Sequence, residues 1–279
     1  MIGLLPGVKD LTDNLHKAMK YSLEAGGKRI RPVLAIAACE AVGGDVNKVI
    51  PAACALEFIH TYSLIHDDLP AMDDDDYRRG KPTCHRAFDE ATAILAGDAL
   101  LTAAFEVVSR KDLFEGSDPW IVMDVANDIA RGAGAAGMVG GQQADMEAEG
   151  KDVDLPTLEF IHTHKTGALI LASVKTGAKL GGGNESQINS LIRYGEFAGL
   201  AFQVADDILD VTGSTNALGK DAGSDEARGK ATYPALMGVS EAKERAAELL
   251  DLALESLDDF DEKADPLRKI AKFIVERNS

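Results

Sequence analysis

Apolar positions recur at intervals of three and four residues through most of the chain, the spacing of one face of an α-helix. The clearest case is Ile188, Leu191, Ile192, Gly195, Ala198 and Gly199, which share a face behind an Asn184/Gln187 pair with the form of a capping box. That pattern predicts a helix from about Glu185 to Val211. The same periodicity predicts helices near residues 10–24, 31–42, 46–68, 88–110, 118–144, 156–181, 241–257 and 265–277. Gly43-Gly44 and Gly181-Gly182-Gly183 stand where helices should stop, because glycine tolerates the left-handed backbone of a C-terminal cap. Nothing alternates at period two for long enough to build a sheet, so the predicted fold class is all-α. Two long polar segments, Asp73 to Thr83 and Gly213 to Thr232, interrupt the pattern, and long polar loops in compact folds are often functional. With no Pro/Ser-rich linker and no fixed repeat, one helical domain over residues 1–279 is expected.

Charge narrows the class. The 46 Asp and Glu against 29 Lys and Arg leave a net charge of −17, which disfavours a nucleic-acid binder. No charge-free stretch approaches the ~20 apolar residues of a membrane span. The longest, Gly132 to Ala144, is glycine-rich, so no membrane span is expected. The start lacks the basic and apolar regions of a secretion signal. Cys39, Cys54 and Cys84 show no C-x-x-C spacing, which fits a reducing cytoplasm and no structural zinc.

The strongest chemical signal is Asp67-Asp68-Leu69-Pro70-Ala71-Met72-Asp73-Asp74-Asp75-Asp76, six carboxylates in ten residues. A charge run of this kind is usually a solvated loop. Here it follows the apolar segment Phe58 to Ile65, which should be buried, and Pro70 stops the helix. The carboxylates therefore project from the rim of a packed helix. A second cluster, Asp206-Asp207-Ile208-Leu209-Asp210, lies on an otherwise apolar helix with Asp206 and Asp210 on one face. Burying such groups unpartnered is costly, and a hard divalent cation resolves that cost: Mg²⁺ takes one or two carboxylates, waters and phosphate oxygens.

Cations supply the other half of a phosphate site. Gly26-Gly27-Lys28-Arg29-Ile30-Arg31-Pro32 places three of them at a glycine-to-helix junction, where backbone amides also favour anions. Arg78-Arg79 follows the first acidic cluster, and arginine's planar fork suits phosphate. Nucleotide-binding loops fail on spacing: Gly213 to Gly219-Lys220 and Gly223 to Gly229-Lys230 each hold five intervening residues instead of four. His162 and His164, two apart, diverge on a helix and make a poor metal pair.

Asp67-Asp68-x₄-Asp73 and Asp206-Asp207-x₂-Asp210, with Gly27-Lys28-Arg29-x-Arg31-Pro32, His60, Arg78-Arg79, Lys165-Thr166, Phe202-Gln203 and Gly229-Lys230-Ala231-Thr232-Tyr233-Pro234, resemble the trans-isoprenyl diphosphate synthases. The match runs in the family's order from about Leu23 to Arg277, and the spacer Leu-Pro-Ala-Met looks like the bacterial type of farnesyl diphosphate synthase and its geranylgeranyl relatives. One departure is a short N-terminal region, with Gly27 arriving early. The resemblance implies a large helical bundle around a deep central cleft. It implies Mg²⁺ on Asp67, Asp73 and Asp206, with Asp68, Asp207 and Asp210 close by. Arg78, Lys165, Thr166 and Lys220 would hold the allylic diphosphate, with Lys230 near it; Lys28, Arg31, His60 and Arg79 would bind isopentenyl diphosphate. His60 precedes Asp67 by two helical turns on one face, so that pairing is geometrically sensible. Gln203 would place an amide dipole near the allylic cation.

The implied reaction condenses dimethylallyl or geranyl diphosphate head-to-tail with isopentenyl diphosphate, the released diphosphate serving as base. Tyr62 and Ser63, five and four residues before Asp67, would floor the cleft, and a bulky ring there implies a fifteen-carbon, farnesyl product. The alternatives are a geranylgeranyl or longer-chain synthase and a non-catalytic partner subunit, which should have lost carboxylates or cations that are all present. A terpene cyclase should carry an Asn/Ser/Glu-type second motif, and a Ca²⁺-binding protein would leave Lys28, Arg31, Arg78 and Arg79 unexplained. A homodimer is expected from the resemblance alone.

Overall fold

The computed structural model describes residues 1–7, 10–212 and 230–276 of the chain. Among these, thirteen α-helices carry the fold: α1 (Asp13–Leu23), α2 (Ile30–Ala41), α3 (Ile50–Asp67), α4 (Cys84–Ala87), α5 (Glu90–Ser109), α6 (Pro119–Ala133), α7 (Met138–Ala148), α8 (Leu155–His162), α9 (Ala168–Leu180), α10 (Glu185–Thr212), α11 (Tyr233–Met237), α12 (Val239–Glu255) and α13 (Asp265–Glu276). The all-α expectation holds. Among the described residues the one pair of strands is a hairpin, β1 (Tyr77–Arg78) and β2 (Lys81–Pro82), inside the first polar loop.

The sequence signals act as expected at the ends of α2, α9 and α10. Gln187 N–H donates to Asn184 Oδ1 at 2.9 Å and Asn184 N–H to Gln187 Oε1 at 3.0 Å, the reciprocal bonds of a capping box at the start of α10. Gly43 and Gly182 take positive φ just beyond α2 and α9. The predicted helix over 118–144 is instead two, α6 and α7, because Gly134 leaves helical backbone at the C-cap of α6 and Gly137 does so at the N-cap of α7. Between α8 and α9 the chain makes a π-helical turn, Thr163–Gly167, so the predicted helix over 156–181 is one rod with a widened turn in it. Gly213 to Gly229, with Lys220, lies outside the described residues.

α3 packs on α5, α9 on α2, α6 and α10, and α10 on α12. The core around α3 includes Leu56, Phe58, Ile59 and Ile65 with Leu100 of α5 and Ile129 of α6. Glu90–Ser109, α5, is the one described helix long and apolar enough to cross a membrane by length and composition; here eight of its residues are buried.

Candidate active site

Burial of its apolar residues runs α3 through the core almost to its C-terminal end, which places Asp67 and Asp68 at the rim. The helix ends at Asp67, three residues before Pro70, since the backbone ahead of a proline is pushed away from helical values. The loop then folds back: Asp73 N–H donates to Asp67 O at 2.8 Å and Asp74 N–H to Leu69 O at 3.1 Å. This return sets Asp73 beside Asp67. Burial raises the Asp67 carboxyl to about 6, and the neighbouring Asp73 and Asp68 charges push the same way against Lys165 and Arg78.

The hairpin aims the arginines. Arg79 and Gly80 are its two loop residues, both at positive φ (53° and 74°), the pattern of a type I′ turn. Arg78 is thereby turned back over the α3 terminus. Its Nε donates to Asp68 Oδ1 at 2.6 Å, and its Nη2 lies 3.4 Å from Asp75 Oδ2. Burial would lower the Arg78 guanidinium, but the Asp68 contact leaves it raised. Arg79 reaches across to donate to Gly26 O.

The α8–α9 junction forms a wall shared by both acidic motifs. In its π turn, Lys165 donates to Asp145 Oδ2 of α7 at 2.6 Å. Lys230 bridges Asp145 Oδ2 at 3.8 Å and Asp73 Oδ1 at 3.6 Å. Burial alone would raise the Asp145 carboxyl; the two lysines outweigh it and hold it below its ordinary value. Carboxylates and ammonium groups thus alternate from Asp73 through Lys230 and Asp145 to Lys165. On α10, Asp207 is buried and turned to the far end of this wall, where its Oδ2 accepts from Tyr233 N–H at 2.9 Å and its Oδ1 lies 3.9 Å from His162 Nε2. Asp210 is buried, whereas Asp206 and Gln203 are partly exposed. Thr166, beside Lys165, is partly buried in the π turn.

Asp145 is the site residue that sequence reasoning missed. It lies one residue past the predicted 118–144 helix. Gly140-Gly141 was the available signal, since glycines within a helix mark close backbone approach. A Cβ on Gly141 would stand 2.1 Å from Lys165 N, so α7 and the π turn touch backbone to backbone. Gly141→Ala should therefore cost about 1–3 kcal/mol of stability, a loss of roughly 2–4 °C in Tm per kcal/mol. Thermal denaturation checks it, and an unchanged Tm would show that the helices can separate at no cost.

A second cluster gathers cations behind the hairpin. Arg31 and His60, on α2 and α3, are both partly buried. Burial, with Arg79 acting the same way against Glu57, lowers Arg31 to about 10. Burial and then Arg31, Arg79, Arg78 and Arg29 hold the His60 imidazole well below its ordinary value, so it is neutral at physiological pH. Lys28 is exposed at the rim of this group. Tyr62, a turn and a half before Asp67, is 6% exposed and meets His66 edge-on with ring centroids 5.8 Å apart. Ser63 turns its hydroxyl onto His60 O at 2.9 Å.

An all-α bundle with two acidic helix segments bordering one lysine-lined wall is the arrangement of an isoprenoid synthase. The chain belongs to the polyprenyl synthetase family, whose model matches residues 12–271. It is a trans-prenyltransferase. It is 50% identical over 266 residues to a geranylgeranyl diphosphate synthase of Cyanophora paradoxa, covering 95% of this chain and 88% of that one. It is 49% identical over 264 residues to a farnesyl diphosphate synthase of Geobacillus stearothermophilus, covering 95% and 89%. Among solved structures, an apo FPP/GFPP synthase from Zymomonas mobilis superposes with a TM-score of 0.87 at 40% identity, over 98% of this chain and 92% of that one. The family's substrates are isopentenyl and allylic diphosphates.

Proposed function

We propose that this enzyme condenses isopentenyl diphosphate with dimethylallyl and then geranyl diphosphate, and releases farnesyl diphosphate as its main product. The observation that carries the chain length is the buried Tyr62 ring on α3, one and a half turns below the acidic rim. A chain growing down from a diphosphate held at Asp67 meets that ring. The purified protein, given isopentenyl and dimethylallyl diphosphates, should yield a fifteen-carbon product by chromatography. A main product of twenty or more carbons would favour the geranylgeranyl reading that the Cyanophora paradoxa relative suggests.

Mg²⁺ fits the carboxylates at the rim. Burial first, and then the neighbouring Asp73 and Asp68, push Asp67 toward protonation, and a bound cation would offset that cost. Among the described residues no three carboxylate, imidazole or thiol groups converge enough to enclose a metal alone. Mg²⁺ commonly completes its shell with water and substrate phosphate. Asp67 and Asp73 on one side and Asp206 on the other would hold it. When bound, Mg²⁺ supplies electrostatic stabilisation of the leaving diphosphate.

Arg78, Lys165, Thr166 and Lys230 are assigned to the allylic diphosphate, with Lys220, outside the described residues, expected beside them. Arg78 commits two of its nitrogens to Asp68 and Asp75 and keeps further N–H groups for a ligand. These cations offset the charge that develops as the C–O bond breaks. Lys28, Arg31, His60 and Arg79 hold the second diphosphate without metal. A neutral His60 donates one hydrogen bond there and does not add charge. The isopentenyl double bond attacks the allylic carbon, a C–C bond forms, and the released diphosphate takes the proton. Gln203 directs its amide toward the cation. Asp68, Asp207 and Asp210 are assigned to the catalytic carboxylates beside the metal ligands, and Asp207 also fixes the chain entering α11 through Tyr233.

Acid should weaken metal use with a definite sign. Asp67 binds a proton below about 6, and that proton competes with Mg²⁺. The half-saturating Mg²⁺ concentration should be nearly flat from pH 8 to 7 and should rise toward tenfold per unit below 6. Initial rates against Mg²⁺ at several pH values check this, and a flat profile down to pH 5 would contradict it.

Exposed Ile94 and Leu95 of α5 and Trp120 and Met123 of α6 support a homodimer. The three buried free cysteines are compatible with a cytoplasmic setting.

A further inference from the structure

Arg29 stands between two residues assigned to the metal-free diphosphate, Lys28 and Arg31, yet its own side chain points elsewhere. Its Nη1 donates to Glu57 Oε1 of α3, and its Nη2 donates to the carbonyl of Leu23, the last residue of α1. Its backbone is left-handed, φ 53°, at the N-cap of α2. A non-glycine residue held there costs free energy that neighbouring contacts must offset. Glu57 is 1% exposed and one helical turn before His60. Its Oε2 is buried with no hydrogen-bond partner, as is Arg31 Nε. One buried carboxylate therefore sits among Arg29, Arg31 and Arg79, with a hydrogen bond to Arg29 alone.

We propose that Arg29 and Glu57 are a positioning pair that preforms the isopentenyl diphosphate pocket, tying the end of α1 and the start of α2 to α3 so that Lys28 and Arg31 face His60. The inference rests on the pocket assignment made above. Arg29 spends its fork on protein and touches no substrate. Glu57 supplies the counter-charge that lets several guanidinium groups stand together before an anion arrives. A lysine could not reproduce the clamp, because its single ammonium lacks the rigid fork that reaches a carboxylate and a carbonyl at once.

Steady-state kinetics on Arg29→Ala, Arg29→Lys, the near-isosteric Glu57→Gln and Arg31→Ala test this. Arg29→Ala and Glu57→Gln should each raise the KM for isopentenyl diphosphate about tenfold, with kcat within threefold and the KM for the allylic diphosphate within twofold. Arg29→Lys should fall between. The double variant should raise KM by less than the product of the two single effects, because the second change removes a partner already lost. A residue that merely supports the fold would lower kcat and raise both KM values together, and that result would overturn the proposal. So would a lower isopentenyl diphosphate KM in Glu57→Gln, which would make Glu57 a competitor of the substrate. Arg31→Ala separates the two levels. If it raises that KM while Arg29→Ala does not, the positioning pair fails and the pocket stands; if it leaves the KM unchanged, the pocket assignment and the pair fall together.

Discussion

Asp67→Asn should lower kcat by at least about a thousandfold, equivalent to about 4 kcal/mol of transition-state stabilisation. The amide has the size of the carboxyl but brings no negative charge, so it holds a hard cation far more weakly. The return bond from Asp73 N–H goes to the Asp67 backbone carbonyl, so it survives the change. Stability should move the other way. The fold raises this carboxyl from 3.8 to about 6, so at neutral pH the charged form is disfavoured in the folded protein relative to the unfolded chain. Removing the charge relieves that cost, and the Tm of the metal-free variant at pH 7 should rise. Acid acts with the same sign: as pH falls through about 6, protonation of Asp67 should add stability to the metal-free wild type. An inactive variant with an unchanged or higher Tm fits a carboxylate selected for binding a cation. Near-normal kcat would remove Asp67 from the site.

Tyr62→Ala should move the main product from fifteen carbons to twenty or more. The ring belongs to the buried cluster that holds Phe58, Ile59 and Ile65 of α3, and on the proposed reading its loss lengthens the path open to the growing chain. Truncating a buried aromatic costs about 3–5 kcal/mol, so Tyr62→Met, which fills part of the volume with a flexible chain, serves as the gentler companion. Chromatography of dephosphorylated products reads both. Unchanged chain length in both would place the floor elsewhere.

Helix periodicity makes most of this architecture legible in the sequence, because helices bury a stripe and stripes have a period. The acidic motifs were legible for a related reason: Asp67 and Asp206 interrupt apolar segments that must be packed. Asp145 was not, since a single acid after a glycine pair looks like any helix surface residue until Lys165 and Lys230 are placed on it. Arg29 was legible as a cation and not in its role, because a left-handed N-cap and a contact to Glu57 leave no mark on spacing. The break between α6 and α7 was lost inside a run that reads as one helix. The hairpin at Tyr77 to Pro82 was too short to show alternation, although Arg-Arg-Gly carries its turn.

The π turn at Thr163–Gly167 gives the site a particular vulnerability. A π turn is an α-helix carrying one extra residue. Deleting one residue there would restore ordinary winding with α8 and α9 near their present register, and would shift the residues inside the turn, Lys165 among them, around the helix. Lys165 would leave Asp145, while each helix stayed intact. Outside Lys165 and Thr166, this stretch should therefore tolerate exchanged side chains far better than altered length, and across descendants of this chain its residue count should drift less than those letters.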